Sequence, residues 1–310
     1  MLGFKIVICL GIMAWILSRA DLGAVFAVMG GADPRLLALA LAMQIVGGAL
    51  ITLRWRALLA VKHVAPGFAY LFQSTVSSFF FRQFLPTVVG GDTIRGYDAW
   101  RAGADPGFAV FSLVVDRLFG LMALVLFALL AGVALDRIAV SLPGLQLWSV
   151  VALTALLILL AIVAVPRRIP TPRWTPTKLT QLIAAMQVFS TAPLVLLRCF
   201  ILSVVLQINV VTFYWVIAQS LGLTVPYTAF FAIVPVAIFA MMAPISINGI
   251  GVREAVFILL LGLWGIEKSH ALAFAWLEFG LVLTTGLVGG AVYALRRERP
   301  FTRSPQAGAD

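Results

Sequence analysis

Four apolar runs, at residues 110–135, 147–165, 194–218 and 271–295, constrain this chain more than any other feature. Each approaches or exceeds the roughly 20 residues that a helix needs to cross the hydrocarbon of a bilayer. Lipid offers no hydrogen-bond partner to the backbone, so a crossing segment must satisfy its own N–H and C=O groups, which here means a helix. The composition agrees: of 310 residues 62% are hydrophobic and 11% charged, against about 45–50% and about 25% in soluble domains. Mean hydropathy is +1.08. The expected fold class is an all-α polytopic membrane protein. The longest polar stretch, 166–193, is too short for a soluble domain. Residues 2–17, with a lone early Lys5 and a poor cleavage site at 17–20, read as a retained first helix rather than a signal peptide.

The net charge of +10 does not point to nucleic acid, because most Lys and Arg fall in short loops between apolar runs. Basic loops mark the cytoplasmic side. The loops at 54–66 and 166–180 carry Arg and Lys without any acid, the tail from 296 to 310 carries Arg296, Arg297, Arg299 and Arg303, and all three are assigned inside. Those at 19–35, 136–144, 220–226 and 267–270 are balanced or uncharged and are assigned outside. Cys9 and Cys199 lie far apart in apolar segments, and His63 and His270 flank helices with no second ligand nearby. Neither a disulfide nor a metal or cofactor site is expected.

These sides create a parity problem. Residues 54–66 and 92–107 must both be inside, so the apolar stretch 68–91 must enter from the cytoplasm and return. By the same reasoning 227–264 must enter from outside and return. Each stretch carries helix breakers at the expected turn, Pro86 with Gly90 and Gly91 in the first, Pro244 with Gly249 and Gly251 in the second. Such breaks are tolerated at membrane depth only where the freed backbone meets protein or water. In both, an arginine, Arg95 or Arg253, follows the proline by nine residues. The expectation is about six full transmembrane helices plus two re-entrant helical hairpins, against an alternative of eight simple spans. The halves, about 36–165 and about 194–295, are expected to form an inverted repeat within one transmembrane domain, 1–295, followed by a basic cytoplasmic tail, 296–310. Two unrelated Pro/Gly kinks are the plainer alternative. Both termini are placed in the cytoplasm.

Charges within apolar segments cost about 2.5–3.5 kcal/mol each even on lenient scales, so they need a reason. Arg82, Asp116, Arg117, Arg198, Arg253, Glu254 and Glu278 are of this kind. Asp116 and Arg117 are sequence neighbours and point to different sides of a helix, so each needs another partner. Pairing Asp116 or Glu278 with a hairpin arginine lowers the cost of burying both; a mere staple between helices is the alternative role. The glycines of each hairpin precede a short helical run, 93–101 or 252–261. A helix N-terminus with Arg95 or Arg253 in its first turns suits a phosphate. Asp92 and Glu254 either cap these helices or bind an amine or hydroxyl of the same ligand. A phosphate head with greasy tails, a phospholipid or a lipid-linked sugar, is the ligand expected. No ATP-binding, metalloprotease or nucleophile-elbow motif is present. Residues 179–190 read as an amphipathic surface helix or a plain connector.

Three stretches carry a resemblance: 84–95 (Phe-Leu-Pro-Thr-Val-Val-Gly-Gly-Asp-Thr-Ile-Arg), 115–120 (Val-Asp-Arg-Leu-Phe-Gly) and 243–255 (Ala-Pro-Ile-Ser-Ile-Asn-Gly-Ile-Gly-Val-Arg-Glu-Ala). Over about residues 5 to 295 the chain resembles the lysylphosphatidylglycerol synthase transmembrane region, a flippase-like family of integral membrane proteins. The family more often has Glu-Arg where this chain has Asp116-Arg117. In two-domain members the membrane part is thought to move aminoacylated phospholipid between leaflets, while a separate domain, not found in this sequence, makes it. The resemblance implies a flippase-like transporter of a phospholipid or lipid-linked headgroup in a bacterial inner membrane. It would be more a carrier than an enzyme, with Arg95, Arg253, Asp92, Glu254, Asp116, Arg117 and Glu278 at the headgroup. The alternative function is a membrane-embedded glycosyltransferase-like enzyme, or its accessory subunit, acting on a lipid-linked sugar. Partners expected are membrane lipids, with a second copy of the chain or envelope-synthesis proteins as further candidates, and no nucleic acid.

Overall fold

A computed structural model describes residues 21–84, 90–134, 191–242 and 248–296, with Met13, Ile16, Ser18, Ala20, Phe189 and Ser246 as isolated positions. All the regular structure among the described residues is helical, with no strand among them. In chain order the helices are α1 (Leu22–Gly30), α2 (Pro34–Ala60), α3 (Phe68–Phe84), α4 (Gly90–Arg101), α5 (Pro106–Ala134), α6 (Pro193–Ser220), α7 (Tyr227–Met242), α8 (Val252–Gly262) and α9 (Lys268–Leu295).

Local chemistry explains where they begin. Proline opens α2, α5 and α6, a position where its missing N–H would have been unpaired anyway. Aspartates sit just ahead: Asp33 accepts from the Arg35 N–H at 2.8 Å and Asp105 from the Phe108 N–H at 3.2 Å. Asp21 caps α1 by accepting from the Ala24 N–H at 3.1 Å.

Among the described residues four helices are long and apolar enough to cross a membrane: α2, α6 and α9, of 27, 28 and 28 residues, and the Pro106–Leu130 part of α5, of 25. Their surfaces are inverted relative to a soluble protein. On α6 the exposed positions Leu194, Leu197, Ile201, Val205 and Ile208 recur every three or four residues as one apolar stripe, while Ser203 and Gln207 are buried. That is the arrangement expected when the surrounding solvent is hydrocarbon.

Two corrections to the sequence reading follow. Residues 54–60, assigned to a basic loop, belong to α2, and Arg54 is buried rather than exposed. The loop at 19–35 contains α1, because an apolar nine-residue segment follows the Asp21 cap. The expected span over 147–165, the loops at 136–144 and 166–180, the tail beyond Arg296, Pro86 and Pro244 lie outside the described residues. So do most of 2–17 and of the 179–190 segment.

The chain packs as two compact units. One comprises α1, α2 up to Gly47, α5 from Met122, α6 from Leu206, α7, α8 and α9 up to Thr285. The other comprises α2 from Gly48, α3, α4, α5 up to Leu121, α6 up to Val205 and α9 from Gly286. Every long helix thus contributes one part to each unit, whereas α3 with α4, and α7 with α8, each belong wholly to one.

In the second of these units α3 and α4 pack as an antiparallel hairpin. The Tyr70 hydroxyl at the start of α3 donates to the Asp98 carbonyl near the end of α4, at 3.1 Å. At the other end Gly91 lies so close to α3 that a Cβ there would stand 2.6 Å from the Ser78 carbonyl oxygen. No side chain fits there, which is why position 91 is a glycine. In the other unit Phe274 of α9 packs against Phe230 of α7 and Phe257 of α8, at ring-centroid distances of 6.3 and 5.0 Å.

Candidate functional site

The first cluster of charges forms where α2, α4, α5 and α6 meet within one unit. Asp116 of α5 is buried and receives two guanidinium groups. Arg54 Nε lies 2.6 Å from Oδ1, and Arg95 Nη2 lies 3.1 Å from Oδ2. Arg54 Nη1 also donates to Ser203 Oγ at 2.8 Å, and that hydroxyl donates to the Cys199 carbonyl at 2.7 Å. Arg95 stacks 4.5 Å above the Trp55 ring, whose indole N–H donates to Ser112 Oγ at 3.3 Å. Its Nη1 faces Asp92 at 3.7 Å, while its Nε has no hydrogen-bond partner among the described residues. Asp92 pairs with Arg117, whose side chain is 45% exposed. As neighbours on one helix, Asp116 and Arg117 point apart, and each has found a different partner. Arg82, near the end of α3, feels the charges of Asp92, Arg95, Arg117 and Asp116.

A second cluster occupies the other unit. Arg253 Nε of α8 lies 3.0 Å from Glu278 Oε2 of α9, and the Tyr214 hydroxyl of α6 donates to Glu278 Oε1 at 3.1 Å. The Arg253 guanidinium sits 4.6 Å over the Phe279 ring and its Nη2 donates to the Asn248 carbonyl at 3.2 Å. Its Nη1 is buried with no partner among the described residues. Glu254 accepts from the Gly251 N–H at 2.7 Å, so it closes the N-terminus of α8. The turn before α8 needs left-handed backbone, with φ of +76° at Gly249 and +82° at Gly251, values that glycine alone adopts without a steric cost.

The seven residues singled out from sequence therefore fall into two sets, one per unit: Asp92, Arg95, Asp116 and Arg117 in the first, Arg253, Glu254 and Glu278 in the second. The two sets share a plan. In each, a buried arginine of a short helix, Arg95 mid-way along α4 and Arg253 at the start of α8, stacks on an aromatic ring and pairs with an acid on the next long helix. Such an arrangement holds a cation in an apolar setting while leaving donor capacity on the guanidinium, which suits an oxyanion. A model of the lysylphosphatidylglycerol synthase TM region matches residues 2–290. The chain belongs to that family. The chain is also similar to a UPF0104 membrane protein of Methanothermobacter thermautotrophicus, 28% identical over 142 residues, 45% of this chain. The match spans 38% of that relative's own length.

Sequence reasoning missed Arg54, Trp55, Ser203, Tyr214 and Phe279. Arg54 did carry a signal, since it continues an apolar run and has Trp55 beside it, but charge without nearby acid reads as a loop. Its acid is 62 residues away. Tyr214 is a polar handle inside an apolar helix, a residue type that usually finds a partner when buried. Outside both sets, Arg296 just past α9 donates to Asp98 Oδ2 at 2.7 Å. Burial alone would lower its pKa, yet the hydrogen bond and the charge of Asp98 outweigh it and hold Arg296 above the ordinary arginine value.

Proposed function

We propose that this protein moves a phosphate-bearing lipid between the leaflets of a bacterial inner membrane. In this reading α3–α4 and α7–α8 are re-entrant hairpins related as an inverted repeat, and the charged sets they carry receive the headgroup. The observation that carries the proposal is the pairing itself. The arginine of each hairpin is buried against an acid of the following long helix, Arg95 with Asp116 and Arg253 with Glu278. A polar site of this cost within apolar helices marks a path for substrate. The re-entrant reading is supported by the way the helices divide. Long helices change unit along their length, whereas each short pair begins and ends in the same one. Membership of the lysylphosphatidylglycerol synthase TM region family fits a membrane protein acting on lipids.

The test is lipid scrambling in liposomes that contain the purified protein. Replacing Arg253 with Ala should abolish headgroup exchange between leaflets while expression and elution volume stay unchanged. An exchange rate equal to that of the unmodified protein removes this site from the mechanism.

A further inference from the structure

Asp116 and Glu278 are both buried acids beside an arginine, but they are held differently. Both oxygens of Asp116 accept guanidinium hydrogen bonds, from Arg54 at 2.6 Å and from Arg95 at 3.1 Å. Glu278 faces one arginine. Its Oε2 stands 3.0 Å from Arg253 Nε, yet neither atom makes a hydrogen bond among the described residues. The contact is one of charge alone, and Arg253 Nη1 is likewise uncommitted. The other oxygen, Oε1, accepts from the Tyr214 hydroxyl at 3.1 Å. A hydroxyl can turn to donate to a carboxylate or to accept from a carboxylic acid, so Tyr214 serves Glu278 in either charge state. Ring contacts pack α1, α6, α7 and α8 against α9 around this point. Within this unit the charged side chains on those four helices are Arg253 and Glu254, and Glu254 is held by the Gly251 N–H. Tyr227 of α7 is paired with the Thr212 hydroxyl at 2.8 Å. Lys268 and His270 lie at the start of α9, about 12–15 Å along the helix from Glu278. The guanidinium is within reach of a ligand: its Nη2 donates to the carbonyl of Asn248, a part-exposed residue, which puts it one residue below the surface.

We infer that Glu278 is a proton-binding site, protonated when Arg253 takes the phosphate of a lipid, so that a proton crosses with each headgroup. The inference rests on the lipid-transport reading and names the ion that moves with the lipid. Without lipid, the Arg253 cation is balanced by the Glu278 carboxylate. A phosphodiester arriving at Arg253 brings a second anion into the same apolar setting, where an uncompensated charge is strongly disfavoured. A proton on Glu278 removes that excess. Phosphate then replaces carboxylate as the counter-ion of Arg253, and the acid keeps its hydrogen bond to Tyr214. When the lipid leaves into the other leaflet, Glu278 recovers Arg253 and releases its proton on that side. Asp116, with both oxygens hydrogen-bonded to arginine, has no such freedom.

Proton uptake reads the coupling directly. The detergent-solubilised protein is mixed with phosphatidylglycerol in weak buffer containing a pH indicator, at several values between pH 5 and 9. A phosphodiester does not titrate in that range, so any uptake belongs to the protein. Up to about one proton should be taken up per lipid bound, and within the window of uptake the affinity should tighten by up to about tenfold for each unit that the pH falls. Glu278→Gln, neutral at every pH, should abolish both effects. His270→Gln, which removes a side chain that ordinarily titrates in this range, should leave both intact. In liposomes, with protein-free vesicles as the baseline, an alkaline interior should draw tail-labelled phosphatidylglycerol into the inner leaflet, and an acid interior should expel it. No uptake at any pH by unmodified protein that binds the lipid, or uptake retained by Glu278→Gln, overturns the inference. Glycerophosphoglycerol, the same headgroup without tails, should elicit no uptake at millimolar concentration; uptake there would make the ligand a soluble phosphodiester and overturn the lipid assignment. Scrambling that proceeds without uptake and ignores the gradient sinks this inference alone. Uptake on lipid binding by a protein that moves no lipid removes the transport reading instead.

Discussion

Asp116 and Arg117 are adjacent in sequence, yet the physics of the two side chains differs. Asp116 is buried between Arg54 and Arg95, and its removal leaves Arg54 with no acid among the described residues and Arg95 with only the 3.7 Å contact to Asp92. Asp116→Asn should therefore cost about 3–5 kcal/mol, as breaking a buried pair does, and lower the thermal midpoint in detergent sharply. Arg117 is half exposed, so water shares its charge. Arg117→Gln should cost less than about 1 kcal/mol by the same measurement. Equal shifts for the two variants would mean that burial does not govern this cluster. The pairing of hairpin arginines with Asp116 and Glu278 was legible in the sequence because a charge buried in an apolar helix needs an opposite one, and Asp116 cannot take it from its neighbour Arg117. The place of Arg54 was not, because its partners lie on helices distant in the chain and nothing local distinguishes it from a loop arginine.

At the scale of elements, the short helices depend on close approach rather than on length. Gly91 and Gly96 both belong to α4, but a Cβ at Gly91 would meet the Ser78 carbonyl at 2.6 Å, whereas one at Gly96 would stand 3.5 Å from Leu113 Cδ1. Gly91→Ala must push α3 and α4 apart and should cost about 1–3 kcal/mol. Gly96→Ala meets only ordinary contact and should stabilise α4 by about 0.5–1 kcal/mol through its better helix propensity. Thermal midpoints of the two variants measured side by side separate the cases, and a harmless Gly91→Ala would refute the tight hairpin. The sequence marked both places by their glycines, for different reasons: close approach to α3 at Gly91, and left-handed backbone at Gly249 and Gly251. It did not mark α1, whose nine residues sit among balanced charges that read as a loop.

For the molecule as a whole, the decisive question is on which side of the membrane each connection emerges. If α3–α4 returns to the side it entered from, the connections at 61–67 and 102–105 share one side. If α7–α8 does the same, those at 221–226 and 263–267 share the opposite one. Eight simple spans would instead place 61–67 and 102–105 on opposite sides. Single cysteines distinguish these outcomes once Cys9 and Cys199 are changed to serine; Cys199 is buried and replaceable by a residue of similar size. In sealed inside-out vesicles a membrane-impermeant maleimide should label Lys62→Cys and Ala102→Cys alike. It should label Gly222→Cys and Gly265→Cys only after the vesicles are opened. Labelling of Lys62→Cys and Ala102→Cys from opposite sides would convert the first hairpin into a crossing. It would also remove the inverted repeat, because the repeat requires each hairpin to belong to one face. The same four variants fix the orientation, since basic residues cluster near 61–67 and should mark the cytoplasmic side.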